Sequence, residues 1–123
     1  MRRVILIAAL ALCGCTRPPT EPVRAHGRTA AEWAAALRGP DVKARRKAVA
    51  ELANLGAADP AVVPALAGAL TDRDAGVRDA AAVALYSLGP VAKDAAPALE
   101  AAKADRDPKV RDHAAKALAR VRS

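Results

Sequence analysis

The sequence predicts an all-α protein, an α-solenoid of about three stacked helical hairpins with six helices. Three observations indicate this class. The apolar residues are mostly Ala, Leu and Val, with no Phe, one Trp and one Tyr, a composition that favours helices packed in thin layers. Apolar residues recur at every third or fourth position, as they do along one face of a helix. The whole pattern returns after 33 residues, which is typical of a repeat protein.

The repeat can be followed residue by residue along the chain. The second and third units share the phrase Asp-Arg-Asp-x-x-Val-Arg-Asp-x-Ala-Ala-x-Ala-Leu, which begins at Asp72 and at Asp105. The first unit matches less closely, with Ala44 in place of the valine that precedes the arginine. A match of this length indicates three copies of one structural unit. Two charged positions recur in all three units, as Asp41, Asp74 and Asp107 and as Arg45, Arg78 and Arg111.

Residues that begin and end helices are present in each unit. The three recurring aspartates are good N-caps, because a carboxylate accepts hydrogen bonds from the free N–H groups of the first turn. Gly56 and Gly89 are typical C-caps, and Thr29-Ala30-Ala31-Glu32 has the form of a capping box. Pro64 and Pro97 must lie within or near the first turn of a helix, since proline breaks a helix further in. These signals predict helices at residues 29–38, 41–55, 61–70, 74–88, 92–103 and 107–121.

The N-terminal 14 residues have the features of a secretory signal peptide. Arg2 and Arg3 form a basic start, and an uninterrupted apolar run follows from Val4 to Leu12, as in the hydrophobic part of such signals. The run is shorter than the roughly 20 residues that span a bilayer. A core helix is the alternative, but the Pro-rich segment that follows gives it nothing to pack against. We therefore expect residues 1–14 to act in export and to be removed.

Two cysteines close this leader. Leu12-Cys13-Gly14-Cys15 resembles a bacterial lipobox, although Cys13 stands where Ala, Ser or Thr is more common. The resemblance implies cleavage after Gly14 and lipidation of Cys15, with acyl chains such as palmitate that anchor the protein to a membrane of the cell envelope. Thr16 is not the Asp that favours inner-membrane retention, so the resemblance implies the periplasmic side of the outer membrane if the source has two membranes. A disulfide between such close cysteines would be strained.

Residues 15–28 are predicted to be the lipidated cysteine and a Pro-rich, extended linker, and residues 29–123 the repeat domain. His26 is interpreted as a solvated residue of the linker. Much of the net charge of +7 lies in the leader and linker, because from Thr29 onward 15 Lys and Arg face 12 Asp and Glu. A balance of +3 is ordinary for a protein surface, and nucleic acid is therefore not the expected partner.

The phrase Asp-x-x-Val-Arg-x-x-Ala-Ala-x-Ala-Leu resembles the HEAT repeat, in the short form found in phycobilisome-lyase-like HEAT proteins. Val-Val-Pro-Ala-Leu at 62–66 and Ala-Ala-Pro-Ala-Leu at 95–99 resemble the first helix of that form. The resemblance covers residues 29–123 and implies an α-solenoid that binds other macromolecules. Some relatives attach or remove bilin pigments, so a bilin-lyase-like or other small-molecule activity is the alternative. The absorbance of the purified protein would separate the two roles.

The repeats do not offer the residues that catalysis needs. His113 is their only histidine, and no cysteine follows Cys15, so neither a nucleophile with its base nor a metal-ligand set is predicted. The carboxylates recur with the repeat, as caps and ion pairs do, whereas an active site is usually built once. We therefore expect a protein that is not an enzyme and that holds no metal or cofactor.

The recurring charged residues have two interpretations. In the first, Arg45, Arg78 and Arg111 form a structural ladder, each reaching the Asp cap of its own or the next unit (Asp41, Asp74 and Asp107). In the second, the arginines form a basic stripe that binds an anion. The regular spacing with matched aspartates favours the ladder.

A protein partner is expected on the outward side of the second helices of the hairpins. Small residues occupy the middle of this side and basic residues its ends, which would suit a partner helix with acidic groups towards its ends. A plain solvated surface is the alternative interpretation. The residues predicted to contact the partner are Lys47, Asn54, Val83, His113, Lys116 and Arg120.

Overall fold

The structure, a computed structural model, describes residues 21–123 and contains six α-helices there. The all-α fold class and the three hairpins are confirmed. The predicted signal peptide and Cys15 lie outside the described residues. None of the helices in this part of the chain could span a bilayer. The elements are β1 (Arg24–Ala25), β2 (Arg28–Thr29), α1 (Ala30–Ala36), α2 (Val42–Leu55), α3 (Val62–Ala69), α4 (Ala75–Leu88), α5 (Ala96–Ala102) and α6 (Pro108–Val121).

The helices form two layers. The first helices of the hairpins, α1, α3 and α5, contact one another in sequence, and the second helices, α2, α4 and α6, form the other layer. Each second helix also packs on the first helix of its own hairpin. The core between the layers consists of small and medium aliphatic side chains, which allow the close approach that the composition predicts. Its largest fully buried apolar residues are Leu52, Leu66, Leu85, Leu99, Val49, Val62, Val77 and Val110.

The helix ends follow the residues that predict them. Thr29 and Glu32 form a reciprocal capping box at the start of α1, and the side chains of the three recurring aspartates accept first-turn N–H groups of α2, α4 and α6. Gly56 and Gly89 end α2 and α4 with φ of 58° and 64°. Only glycine adopts such a conformation without strain, which fixes these two chain reversals.

One helix begins later than predicted. A 3-10 segment runs over Gly89–Ala95, and the α-helix α5 begins at Ala96, not at residue 92. Ala92 has non-helical φ and ψ of −92° and 20°. Pro97 lies in the first turn of α5, since its missing N–H and its ring are tolerated only there.

The segment before α1 was predicted to be an extended linker up to residue 28. The structure corrects this, because residues 24–28 belong to a β-hairpin. Residues 24–29 form a β-hairpin whose turn, His26-Gly27, has positive φ at both residues. The hairpin packs on α1 and α2. The indole Nε1–H of Trp33 donates to the carbonyl of Ala25 at 2.9 Å, and Arg28 lies over the same ring at 4.8 Å. Residues 24–28, which were predicted to be linker, therefore cover the first repeat.

Candidate protein-interaction face

The second helices α2, α4 and α6 expose a continuous side, which we call the interaction face. Its residues include Ala50, Ala53, Ala80, Val83, Tyr86, Ser87, His113 and Lys116. Between α4 and α6 it contains a depression of about 310 Å³, lined by Val83, Tyr86, His113 and Lys116. Val83 and Tyr86 keep 40% and 41% of their surface exposed. An exposed aromatic beside an exposed aliphatic is the kind of feature on which binding energy concentrates in protein interfaces.

A second depression joins the first along the interaction face. It lies between α2 and α4, has a volume of about 320 Å³, and shares Val83 with its neighbour. Its floor is made by small side chains, which leave room for another backbone or helix to approach. Together the two depressions form a shallow groove across α2, α4 and α6. The small residues that line the second depression are Ala50, Ala53, Ala80, Ala84 and Ser87.

Basic side chains border the α6 end of the groove. The guanidinium of Arg120 lies 4.9 Å from the centroid of the Tyr86 ring, in a cation–π contact that orients both side chains. Lys116 donates to Asp112 at 2.8 Å, and this hydrogen bond raises the pKa of Lys116 and lowers the pKa of Asp112. Lys116 and Arg120 thus place two positive charges beside the depression, and Asp112 partly balances that of Lys116.

His113 links two repeats beneath this border. Its Nδ1 lies 2.5 Å from the Asp79 carboxylate of α4, and its side chain keeps 36% of its surface exposed. The pair fixes the edge of the depression that Val83 and Tyr86 line. His113 was predicted as a partner contact, and the structure places it in the wall of the depression.

The α2 end of the interaction face meets the N-terminal hairpin. Lys47 and Asn54 are exposed and lie on the same side of α2 as Glu51. The Glu51 side chain is only 8% exposed, and His26 Nδ1 lies 2.7 Å from its Oε2. This interaction with His26 outweighs burial and holds the pKa of Glu51 below its usual value. The His26 side chain stays 71% exposed, as predicted, and its contact with Glu51 joins the hairpin to α2.

Two of the three recurring arginines join successive repeats. Arg45 and Arg78 are buried, with 1% and 5% of their surface exposed. Arg45 donates from Nε and Nη2 to Asp72 at 2.9 and 3.2 Å, and its Nη1 donates to the carbonyl of Gly39. Arg78 repeats this geometry with Asp105 and with the carbonyl of Asp72. These two arginines are inter-repeat links and are not open to an anion.

The acceptors differ from the residues that the ladder interpretation named. The caps Asp41, Asp74 and Asp107 bind the N–H groups of their own helices. The arginines instead bind Asp72 and Asp105, each two residues before a cap, and each also accepts the N–H of that cap residue at 2.8 Å. The shared sequence Asp-Arg-Asp could have indicated which aspartate binds the arginine. Its second aspartate caps a helix, so only its first aspartate was left to pair with the arginine. Arg111 is exposed and, among the described residues, donates only to the carbonyls of Asp105 and Arg106.

Tyr86 was not predicted as a site residue, because its exposure depends on how α6 packs beside α4.

Within the described residues, no three His, Cys, Asp or Glu side chains are placed so that they could hold a metal ion. The face combines exposed apolar and basic side chains, an arrangement that suits recognition of another surface.

Comparison with known proteins agrees with the two-layered fold of paired helices. The family described as HEAT repeats matches residues 30–123, and this match covers most of the chain. The chain belongs to the HEAT-repeat family. No curated protein matches the sequence. HEAT repeats generally mediate protein–protein interactions.

Proposed function

We propose that this HEAT-repeat chain is exported, lipidated on Cys15 and held at the cell envelope, where its interaction face binds a protein partner. The single observation that carries the binding role is the pair of exposed side chains Val83 and Tyr86 between α4 and α6. Apolar side chains left in a depression with basic neighbours favour a partner that inserts an apolar residue there. The anchor rests on the Leu-Cys-Gly-Cys sequence at residues 12–15.

The charge of the face indicates the kind of partner. Arg120 and Lys116 border the depression at α6, and Lys47 lies at the α2 end. The groove between them is lined mainly by small residues, and Arg46, which pairs with Asp74, lies at its α2 side. A helix with small or apolar residues along its middle and acidic residues towards its ends would complement this arrangement, since opposite charges steer and orient association. Tethering by a lipid would raise the effective concentration of the face near an envelope partner.

Charge reversal at the α6 border tests the binding role. In a pull-down from solubilised envelopes, Lys116→Glu/Arg120→Glu is expected to reduce recovery of a specific partner. The control is Lys93→Glu, because Lys93 is exposed in the 3-10 segment of the other helix layer. Equal loss with both variants, or retention with the double variant, would exclude the interaction face as the binding site.

The two neighbouring cysteines allow a matched test of the anchor. Cys15→Ser is expected to abolish palmitate labelling and either release the protein from membranes or leave it as an unprocessed precursor. Cys13→Ser should leave labelling intact, because serine is common at that place of a lipobox-like sequence. Unchanged labelling and fractionation of Cys15→Ser would contradict the proposed anchor. Several acyl chains are expected to give stable anchoring, which a single chain does not.

A further inference from the structure

The N-terminal β-hairpin meets α2 through an ion pair between one exposed and one buried side chain. Nδ1 of His26, in the turn of the hairpin, lies 2.7 Å from Oε2 of Glu51. The His26 side chain is 71% exposed, whereas that of Glu51 is 8% exposed. Among the described residues, this buried Oε2 accepts no well-aligned hydrogen bond. The positive charge of His26 is therefore needed to offset the burial of the carboxylate.

The strength of this contact depends on pH, because only one of the two charges changes near neutrality. The contact with His26 holds the pKa of Glu51 below its usual value in spite of burial, so Glu51 is ionised above the ordinary value of about 4.3. An imidazole carries its positive charge only below about pH 6.5, and the exposed ring of His26 can exchange protons with solvent. Above that pH the buried carboxylate faces a neutral ring, which weakens the attachment of the hairpin.

The other charges around the pair do not change in the same pH range. Those of the hairpin, α1 and α2 belong to Arg24, Arg28, Glu32 and Lys47. All four keep their charge between pH 5 and pH 8, and hydrogen bonds with Thr29 lower the pKa of Glu32 further. Lys47 adds a constant positive charge from an exposed position on α2, where solvent screens it. His26 is therefore the group around Glu51 whose charge changes near neutrality.

We propose that His26 and Glu51 form a pH-sensitive latch, which holds the hairpin on the first repeat when His26 is protonated and releases it when His26 is neutral. Release breaks the hydrogen bond from Trp33 Nε1–H to the carbonyl of Ala25 and moves the start of the folded domain from residue 24 to Thr29, the cap of α1. The latch also weakens in acid, because a carboxyl group with a lowered pKa loses its contribution as pH falls through the folded value. It depends neither on the anchor nor on the interaction face.

Trp33 provides the measurement, because it is the only Trp of the sequence and its indole N–H bonds to the hairpin. Hydrogen exchange of this N–H in the full chain is followed by NMR and expressed as protection relative to free indole at the same pH, which gives the equilibrium between held and released hairpin. We expect protection to fall about tenfold between pH 5.5 and pH 7.5. His26→Asn should make protection independent of pH, since Asn suits the same turn but does not titrate.

Two further variants separate the latch from other effects of pH. Glu51→Gln keeps His26 but removes the buried charge, and it should also abolish the fall in protection. His113→Asn removes the only other histidine of the sequence and should retain the fall. The backbone N–H of the buried Leu85 reports unfolding of the whole domain. Constant protection of Trp33 in the wild type, the same fall in His26→Asn or Glu51→Gln, loss of the fall in His113→Asn, or an equal fall at Leu85 would overturn the proposal.

Discussion

Arg78 and Asp105 join the second and third repeats by two parallel hydrogen bonds, from Nε to Oδ2 at 2.8 Å and from Nη2 to Oδ1 at 3.1 Å. Both side chains are at least nine-tenths buried. The same carboxylate accepts the N–H of Asp107, the cap of α6. One aspartate thus couples the link between repeats to the start of the next helix, and the equivalent Asp72 does so one repeat earlier.

Removing Arg78 should destabilise the fold more than removing Arg111. Arg78→Ala leaves Asp105 buried without its partner, and we expect a loss of about 3 kcal/mol in the free energy of unfolding. Arg111→Ala removes an exposed arginine that has no carboxylate partner within residues 21–123, and it should cost less than about 1 kcal/mol. Urea unfolding followed by circular dichroism would measure both. Equal unfolding midpoints for the two variants would contradict the ladder interpretation.

Stability should depend on pH through Asp105. Burial acts to raise the pKa of Asp105, but hydrogen bonds from Arg78 and from the N–H of Asp107, with nearby positive charge, hold that pKa below its usual value. A lowered pKa in the folded state adds stability above the unfolded value of about 3.9, and this is lost as pH falls through the folded value. The difference in unfolding free energy between wild type and Asp105→Asn should therefore have its full value at pH 7 and decrease below about pH 4.

The matched control is Asp94→Asn, which alters an exposed aspartate with no ion pair among the described residues. Its unfolding free energy should stay parallel to that of wild type between pH 7 and pH 3. A gap for Asp105→Asn that stays constant over this range would show that the carboxylate contributes no pH-dependent stability.

Two glycines should respond to alanine in opposite directions. Gly56 has φ of 58° and ψ of −139°, and of the described residues a Cβ there would meet only Leu88, at 3.9 Å. The cost of Gly56→Ala is then conformational, and we expect about 1–3 kcal/mol of destabilisation. Gly68 lies within α3, and an added Cβ would meet no atom of the described residues within 4 Å. Gly68→Ala should therefore stabilise by about 0.4–1 kcal/mol. Melting temperatures that shift in the same direction for both variants would contradict this account of how α2 ends.

The N-terminal hairpin should contribute to the stability of the repeats. A chain of residues 29–123 loses the hydrogen bond from Trp33 to Ala25 and the contact of His26 with Glu51. We expect it to unfold with about 1–3 kcal/mol less free energy than residues 21–123. A chain of residues 24–123 keeps the hairpin and should match the longer form. Equal unfolding free energies of all three forms would show that residues 24–28 act only as a linker.

The sequence was informative where a local rule acts alone. Asp41, Asp74 and Asp107 cap helices, and Gly56 and Gly89 end them, because the required groups lie within a few residues of each other. The late start of α5 was missed because Pro97 allows several first-turn positions. The hairpin was missed because strands of two residues show no periodicity, and its docking depends on the distant Trp33 and Glu51.

The contacts between repeats were harder to assign. Asp72 and Asp74 are both compatible with a ladder at 33-residue spacing, and only the packed structure shows that Arg45 reaches Asp72. Tyr86 was missed for a similar reason, since the exposure of its ring depends on how α6, with Arg120, packs beside α4. Spacing along one chain predicts which residues are equivalent, whereas the choice between neighbours two residues apart depends on helix packing.

Site-specific photo-crosslinking in the native envelope tests the central claim most directly, namely that the side of α2, α4 and α6 binds a protein. A photoreactive residue replaces Val83, which is 40% exposed in the groove, or Val91, which is 56% exposed in the 3-10 segment after α4. The account predicts a discrete crosslinked partner from position 83 that is absent from position 91. A partner captured from position 91 alone, or equally from both positions, would contradict it.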